Sequence, residues 1–276
     1  MNQVYHLFLT ESGKRPGFAR VLWKALSFVI VFSFGASMAT AQQQLYVSTD
    51  TISVVVQSGG TAGVSFNITN SGDAPLVIDS YTERNAYGTA KSVVFTKANY
   101  ANWLLPANQD RIAPHVWLTR DETKSLFNAK SEVASETSSP EGTSWALGTV
   151  NEVSPGDFTT FNTMHGNDPQ SLVGDTATLK IDFANGSSSK YYSIYMQQWS
   201  GGKTGGGFTY IRKEMLPFYN LTASYTGEIL AGNTESVSSL LSDAGLESGT
   251  HFGHVDIASN DPSQPVSTVV VKLEIL

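Results

Sequence analysis

Alternating apolar and polar positions mark both ends of the chain and are interrupted by short turn sequences. Near the N-terminal end, Thr51 to Gln57 is a strand candidate, and Ala62 to Thr69 places Val64, Phe66 and Ile68 on one face. A period of two residues is typical of strands that have one buried face. Because turn residues follow each segment, this end predicts a series of short strands.

The C-terminal end repeats this pattern. Glu235 to Leu241, His251 to Ser259 and Val266 to Ile275 are strand candidates. Asn260-Asp261-Pro262 separates the last two, because proline cannot continue backbone pairing and Asn and Asp bond their own backbone. Short strands with turns about every 8–12 residues predict a β-sandwich.

The middle of the chain is less regular but still favours strands. The candidates are Lys91 to Thr96, Val116 to Thr119, Trp145 to Thr149, Ser171 to Phe183, Lys190 to Trp199 and Phe208 to Ile211. Asp121 to Ser131 is predicted to form a short helix with Asp121 as its N-cap. Ser135 to Thr143 is predicted to be a polar loop, and Asn185 to Ser188 a turn.

The composition favours an all-β protein with no disulfide bonds. The chain has 276 residues, of which 24 are glycine and none is cysteine. Aromatic and β-branched residues are plentiful, and long runs of helix formers are rare. The absence of cysteine excludes both disulfides and a lipid-modified cysteine.

The first 41 residues have the layout of a signal peptide. Four basic residues between positions 14 and 24 precede an apolar run, Ala25 to Gly35, and Ala39-Thr40-Ala41 forms an A-x-A cleavage site. The apolar run is short for a membrane span. Export to the periplasm, cell surface or extracellular space is therefore predicted, with a retained anchor as the alternative. Any membrane contact would be made only through this segment.

The charge argues against nucleic acid as a partner. The formal net charge is −7, and residues 1–41 hold four basic residues and one acidic residue, so cleavage would leave −10. An acidic protein repels nucleic acid and anionic lipid. No nucleic-acid binding is predicted.

Two stretches resemble one known family. The segment ISVVVQSGGTAGVSFNITNSGDAPLVI (Ile52 to Ile78) is similar to the first half of bacterial immunoglobulin-like repeats of the Hydin (ASH) type. The segment from Tyr225 to Ile275 is similar to the second half, through G-L-x-x-G-T-x-x-G and then S-N-D-P before a final strand. This resemblance implies a seven-stranded sandwich that serves as a spacer or interaction module and not as a catalyst.

The distance between these halves indicates an insertion. We expect a discontinuous immunoglobulin-like sandwich made of residues 42–81 and 218–276, with an inserted β-rich domain of sandwich or jelly-roll type at 82–217. Within the insert, W-L-L-P-A-N-Q-D-R-I, V-W-L-T-R, G-T-S-W-A-L-G-T and G-G-G-F-T-Y-I-R resemble a module of exported bacterial proteins of unassigned function. That resemblance implies a module that occurs independently of its host domain, and it assigns no catalytic residue.

A G-K-T sequence within a glycine run raises the question of a phosphate-binding loop. Such a loop reads G-x-x-x-x-G-K-[ST] and would need glycine where this chain has Gln197. It should also lead into a helix, whereas Thr204 is followed by three glycines and then by the strand pattern of Phe208 to Ile211. The stretch therefore predicts a glycine turn in a hairpin.

The strand before this turn supplies the candidate binding residues. Tyr191, Tyr195, Gln197 and Trp199 are expected to share one strand face, together with Ser193. Aromatic rings beside amides are typical of sugar-binding sheets, where rings stack on sugars and amides bond hydroxyls. The alternative, which we favour, is that the large rings fill a second interior face.

Other chemistry has weaker support in the sequence. His251 and His254 are three apart on a strand and should face opposite ways, which disfavours a shared metal ion. His115 could pair with Asp110 or Asp121 as an acid–base dyad, but no nucleophile motif accompanies it. Calcium is the one cofactor left open, through loop oxygens of Asn108-Gln109-Asp110, Asn167-Asp168 and Asp175.

Together these patterns predict an exported, non-catalytic binding or structural protein. The expected partner is a polysaccharide or another surface protein. The alternative is a secreted hydrolase whose site lies in the inserted domain.

Overall fold

A computed structural model describes residues 41–133, 140–183 and 188–276. Within these ranges the chain forms 18 strands: β1 (Leu45–Val47), β2 (Thr51–Val56), β3 (Thr61–Asn70), β4 (Leu76–Arg84), β5 (Tyr87–Thr89), β6 (Val93–Lys97), β7 (Asp110–Ala113), β8 (Val116–Arg120), β9 (Leu126–Asn128), β10 (Thr143–Leu147), β11 (Thr176–Ile181), β12 (Lys190–Trp199), β13 (Phe208–Pro217), β14 (Tyr219–Ala223), β15 (Gly227–Ile229), β16 (Thr234–Ser242), β17 (Gly249–Ser259) and β18 (Val266–Ile275). One short α-helix, α1 (Phe161–Met164), and 3-10 turns at Pro106–Asn108, Pro155–Asp157 and Pro169–Leu172 complete the described elements.

Strands from both ends of the chain form two sheets that share a core. The first sheet has the order β1-β3-β16-β14, and the second has the order β15-β4-β17-β18-β2. Inward side chains alternate along each strand, as with Phe66 and Ile68 on β3 and Val255 and Ile257 on β17. Burial of these alternating apolar residues is the main force that holds the two sheets face to face. The predicted all-β sandwich is confirmed.

The middle of the chain builds a second set of sheets around its own core. One sheet runs β10-β11-β12-β13-β5, with β6 also paired to β13, and a smaller sheet has the order β7-β8-β9. Trp145, Leu179, Ile194 and Tyr210 are buried between them, and Leu118 from β8 joins the same cluster. Strand β13 leads directly into β14 of the first sheet, so the chain passes from one core to the other at Phe218.

The predicted helix from Asp121 to Ser131 is wrong. Leu126, Phe127 and Asn128 form β9, which pairs with β8, and the two apolar side chains are fully buried. The Asn128 amide oxygen accepts a hydrogen bond from Trp117 N at 2.8 Å, which ties this segment to β8. A segment with so few apolar residues had no continuous helical face to bury, so pairing with β8 prevails.

Some sequence predictions lie outside the described residues. They fall on residues 1–40 of the predicted signal peptide, residues 135–139 of the predicted polar loop and residues 185–187 of the predicted turn. In the part of the chain that is described, no helix has the length and apolar composition needed to span a membrane.

Candidate functional site

The glycine run lies in the loop of residues 200–207, which connects β12 to the antiparallel strand β13 in a hairpin, as predicted. Gly205 and Gly206 have positive φ, +96° and +66°, which glycine adopts without strain. A Cβ on Gly206 would lie 2.0 Å from the backbone oxygen of Asp121. The glycines therefore allow the turn to pack directly on the loop after β8. No helix follows Thr204, so the geometry of a phosphate-binding loop is not formed.

Two buried cations lie under this turn. Arg120 Nη1 donates to Ser200 O at 3.1 Å and to Gly207 O at 3.4 Å, and Nε donates to Lys124 O at 3.0 Å. Lys97 Nζ donates to Gly206 O at 3.3 Å. Each of the two side chains is only 2% exposed. Backbone carbonyls surround both charges, so the turn covers the two cations and accepts their hydrogen bonds.

Neither cation has a carboxylate partner among the described residues. Burial lowers the pKa of Arg120 to about 10. Burial and the neighbouring Arg120 charge also lower the pKa of Lys97. These directions follow from taking a charge out of water without a counter-charge in contact.

Arg120 also stacks on Trp199. Its guanidinium carbon lies 3.9 Å from the centre of the indole ring. The Trp199 ring is 6% exposed and neighbours two core rings, those of Phe161 and Phe208, with centroids 5.9 Å and 6.0 Å away. With a cation and core aromatics around it, this ring is part of the interior.

The prediction that Trp199 shares a face with Tyr191, Tyr195 and Gln197 is wrong. A bulge shifts the register of β12 and β13 between Met196 and Gln198. The extra residue reverses the alternation, so Trp199 points to the core side while Gln197 stays exposed. One inserted residue thus separates the four predicted binding residues into two groups.

The other predicted binding residues remain on the outer face of β12. Tyr195 is 40% exposed, and Tyr191 is half-buried. The Tyr191 ring contacts the rings of Tyr87 and Phe158, with centroids 5.6 Å and 5.9 Å away. These three aromatic residues line a small cavity of about 190 Å³. Tyr191 is therefore partly covered, whereas Tyr195 and Gln197 face solvent.

A larger cleft opens beside Arg120 and Trp199. Its volume is about 350 Å³, within the usual range for small-ligand sites. The loop after β8 and the segment from α1 to the 3-10 turn at Pro169–Leu172 form its walls. Many of the lining side chains are able to donate or accept hydrogen bonds, among them Thr123, Ser125, Asn162, His165, Asp168 and Gln170.

His165 is the unusual member of this lining. It is 8% exposed, and its ring packs edge-on against Phe161 with centroids 4.6 Å apart. Neither Nδ1 nor Nε2 has a hydrogen-bond partner among the described residues. Burial lowers the pKa of His165, and the nearby Asp168 opposes this shift. His165 is therefore neutral at pH 7 and has unused hydrogen-bonding capacity.

Sequence reasoning did not find this cleft. Arg120 and His165 lie in segments that are distant along the chain and have no shared motif. The available signals were local: Thr160 caps α1, and the Asp168 side chain accepts from Gln170 N at 3.2 Å at the start of the 3-10 turn. Such caps show where a loop turns but not which distant loop it meets.

The proposed acid–base dyad does not form at His115. Its Nε2 lies 3.1 Å from the carbonyl oxygen of Asp182. Asp110 instead accepts hydrogen bonds from Arg212 Nε and Tyr210 Oη, both at 2.7 Å. In the described residues, no group of three or more His, Asp and Glu side chains is placed to hold a metal ion.

Comparison with known proteins adds little to this geometry. No family model matches the sequence, and no curated protein matches it. A solved structure with similarity to the chain is the crystal structure of a protein of unknown function from Porphyromonas gingivalis W83, at 11% identity and a TM-score of 0.34. The alignment covers 88% of this chain, which spans about half (51%) of that protein's length. This likeness assigns no function.

Proposed function

We propose that the protein is an exported, non-catalytic binding protein whose cleft beside Trp199 holds a sugar residue of a polysaccharide. The observation that carries this proposal is the cleft itself, a concavity of about 350 Å³ with a lining rich in hydrogen-bonding side chains. Sugars offer many hydroxyl groups, and each needs a donor or acceptor when it leaves water. A polar concave site suits such a ligand better than it suits an apolar one.

Two residues of the cleft support this function most directly. The Gln170 side chain is exposed, lines the cleft and makes no hydrogen bond with another described residue. His165 leaves both ring nitrogens without a partner. A buried polar group without a partner costs about 1–3 kcal/mol, so a ligand or water that satisfies it is favoured. Trp199 is covered and shapes the wall instead of stacking on the sugar.

The hydrolase alternative has less support. A hydroxyl nucleophile needs a base in hydrogen-bond contact. Ser125, which lines the cleft, donates its hydroxyl hydrogen bond to Asn162 Oδ1 at 2.7 Å. His115 faces a backbone carbonyl. These contacts use the groups that acyl transfer would need. Glycoside hydrolysis would need a pair of carboxylates, whereas Asp168 is the one acidic residue among the described residues of the cleft lining, so binding is the better proposal.

We further propose that the sandwich of residues 42–81 and 218–276 carries residues 82–217 as an insert, in the manner of a Hydin-like module. The two apolar clusters draw on different parts of the chain, which supports this division. Urea unfolding followed by hydrogen exchange should then show two cooperative units. A single unit that protects both cores equally would contradict it.

Retention on insoluble polysaccharides tests the binding function. The wild-type protein should be retained on at least one of a panel, and Gln170→Ala should reduce retention by about tenfold. Gln197→Ala is the matched control, because it removes an exposed amide from the outer face of β12. Retention lost in Gln197→Ala and kept in Gln170→Ala would move the site to that face. No retention on any polysaccharide, or release of reducing ends, would overturn the proposal.

A further inference from the structure

We infer that the sugar bound in this cleft is an acidic one, and that Arg120 receives its carboxylate. This inference rests on the proposed function and specifies the class of ligand. Two arginines in the same part of the fold differ in their partners. Arg212 is paired with the carboxylate of Asp110, whereas Arg120 has no carboxylate partner among the described residues.

The hydrogen bonds of Arg120 leave one side of its guanidinium group available. Nε and Nη1 donate to three backbone carbonyls, those of Lys124, Ser200 and Gly207. Nη2 has no acceptor among the described residues, and Arg120 lines the cleft. A buried, unpaired cation is costly, and an anion that reaches it recovers part of that cost. A carboxylate is therefore the group that best complements this part of the wall.

The guanidinium group is also held in place before any ligand arrives. The Trp199 ring supports one of its faces, and the glycine turn holds its edge through the carbonyls of Ser200 and Gly207. A rigid donor loses little side-chain entropy on binding, so more of the interaction energy appears as affinity. Lys97, buried under the same turn, adds positive potential close by.

The negative charge of the cleft belongs to Asp168, which lies near His165. Asp168 is the acidic residue of the lining, and it acts electrostatically on His165. Among the described residues, no ion pair joins Asp168 to Arg120. Asp168 and Gln170 can instead accept and donate hydrogen bonds with sugar hydroxyls. The site thus combines the cationic side chains of Arg120 and Lys124 with one acidic residue and a polar remainder, which suits a sugar that carries one carboxylate.

The overall charge of the protein selects against more highly charged ligands. The formal net charge is −7. A long, dense polyanion such as nucleic acid would be repelled by this field at low salt. A short uronic-acid oligomer carries only a few charges in total and is repelled far less, and a single residue in the cleft would place one carboxylate at Arg120.

Calorimetric titration with paired oligosaccharides tests the inference. The probes are oligomers of galacturonic, glucuronic, mannuronic and sialic acids, each paired with its methyl ester, which keeps the hydroxyls and removes the charge. At least one acid should bind at least about tenfold tighter than its ester. In Arg120→Gln the two members of that pair should bind within about twofold of each other.

A second variant keeps the test valid if Arg120→Gln does not fold. Arg120→Lys retains the charge but loses the planar fork, and it should keep a smaller preference for the acid. Equal binding of acid and ester by the wild-type protein would overturn the inference and leave the proposed function standing. Binding of neither member of any pair would overturn the inference, and the retention assay would then decide the proposed function by itself. An acid preference that persists unchanged in Arg120→Gln would also overturn the role of this residue.

Discussion

The guanidinium carbon of Arg120 lies 3.9 Å from the centre of the Trp199 ring, and this contact forms a wall of the polar cleft. It joins the end of β8 to the end of β12. The contact also uses the indole face that a stacking sugar would need. Trp199 is consequently a structural residue of the site. Its removal should lower the free energy of unfolding more than it weakens ligand binding.

Replacing Trp199 by alanine should strongly destabilise the fold. A buried aromatic residue leaves a large cavity, and such losses cost about 3–5 kcal/mol. The control is Tyr195→Ala on the same strand, where the side chain is 40% exposed and the cost should stay under about 1 kcal/mol. Urea denaturation of both variants checks this. Equal losses in the two variants would mean that Trp199 is not part of the core.

Replacing Gly206 by alanine should disrupt the glycine turn. Its φ of +66° is unfavourable for alanine, and the added Cβ would lie 2.0 Å from Asp121 O. We expect a loss of at least about 2 kcal/mol. Gly202→Ala is the matched change in the same turn, because nothing lies within 4 Å of its Cβ, and it should change stability by less than about 0.5 kcal/mol. Thermal unfolding that ranked them in the opposite order would contradict this packing.

The buried carboxylate of Asp110 should be essential to the second core. It accepts hydrogen bonds from Arg212 and Tyr210, so Asp110→Ala leaves the part-buried Arg212 cation and the buried Tyr210 hydroxyl without their partner. We expect a loss of about 3–5 kcal/mol. The pair of Arg84 and Asp256 is the more exposed one, with side-chain exposures of 50% and 18% against 18% and 7%, so Asp256→Ala should cost less, about 1 kcal/mol. Comparable denaturation midpoints for the two variants would argue against this network.

His165 should make the fold sensitive to mild acid. Burial lowers its pKa below the ordinary value of 6.5, so the unfolded chain binds the proton more readily than the folded one. Stability is therefore full above pH 6.5 and falls as the pH drops from there through the folded-state pKa. His165→Gln should flatten this part of the stability curve. An unchanged slope in the variant would assign the acid sensitivity to other groups.

The sequence predicted the ends of the chain much better than the middle. The strand predicted at Val266 to Ile275 has the same limits in the structure, and the one predicted at Glu235 to Leu241 differs by one residue at each end. Both strands bury every second side chain, so their sequences alternate between apolar and polar residues with a period of two. Asp121 to Ser131 failed because its few apolar residues are buried by pairing with β8, a contact that no local pattern encodes.

The sequence predicted only part of the candidate site, because the rest depends on a bulge and on contacts between distant loops. Strand alternation correctly placed Ile194 and Met196 inward and Tyr195 and Gln197 on the opposite face. The favoured interpretation, that this opposite face is a second interior, is wrong for Tyr195, which is 40% exposed. Alternation failed at Trp199 because a bulge inserts one residue, and the sequence does not mark where a strand will bulge. His165 and Arg120 meet at one cleft only through the packing of two loops. The periodic pattern of apolar and polar residues does not predict such tertiary contacts between loops.

The parallel pairing of β2 with β18 has a mechanical consequence. Ile52 lies beside Val271 and Val56 beside Ile275, so the chain enters β2 and leaves β18 at opposite ends of the sheet. A pull on the two flanking segments loads these backbone hydrogen bonds in shear, and they must rupture together instead of unzipping one by one. Residues 82–217 lie off this line of force, so tension applied through the flanking segments would leave the cleft unloaded.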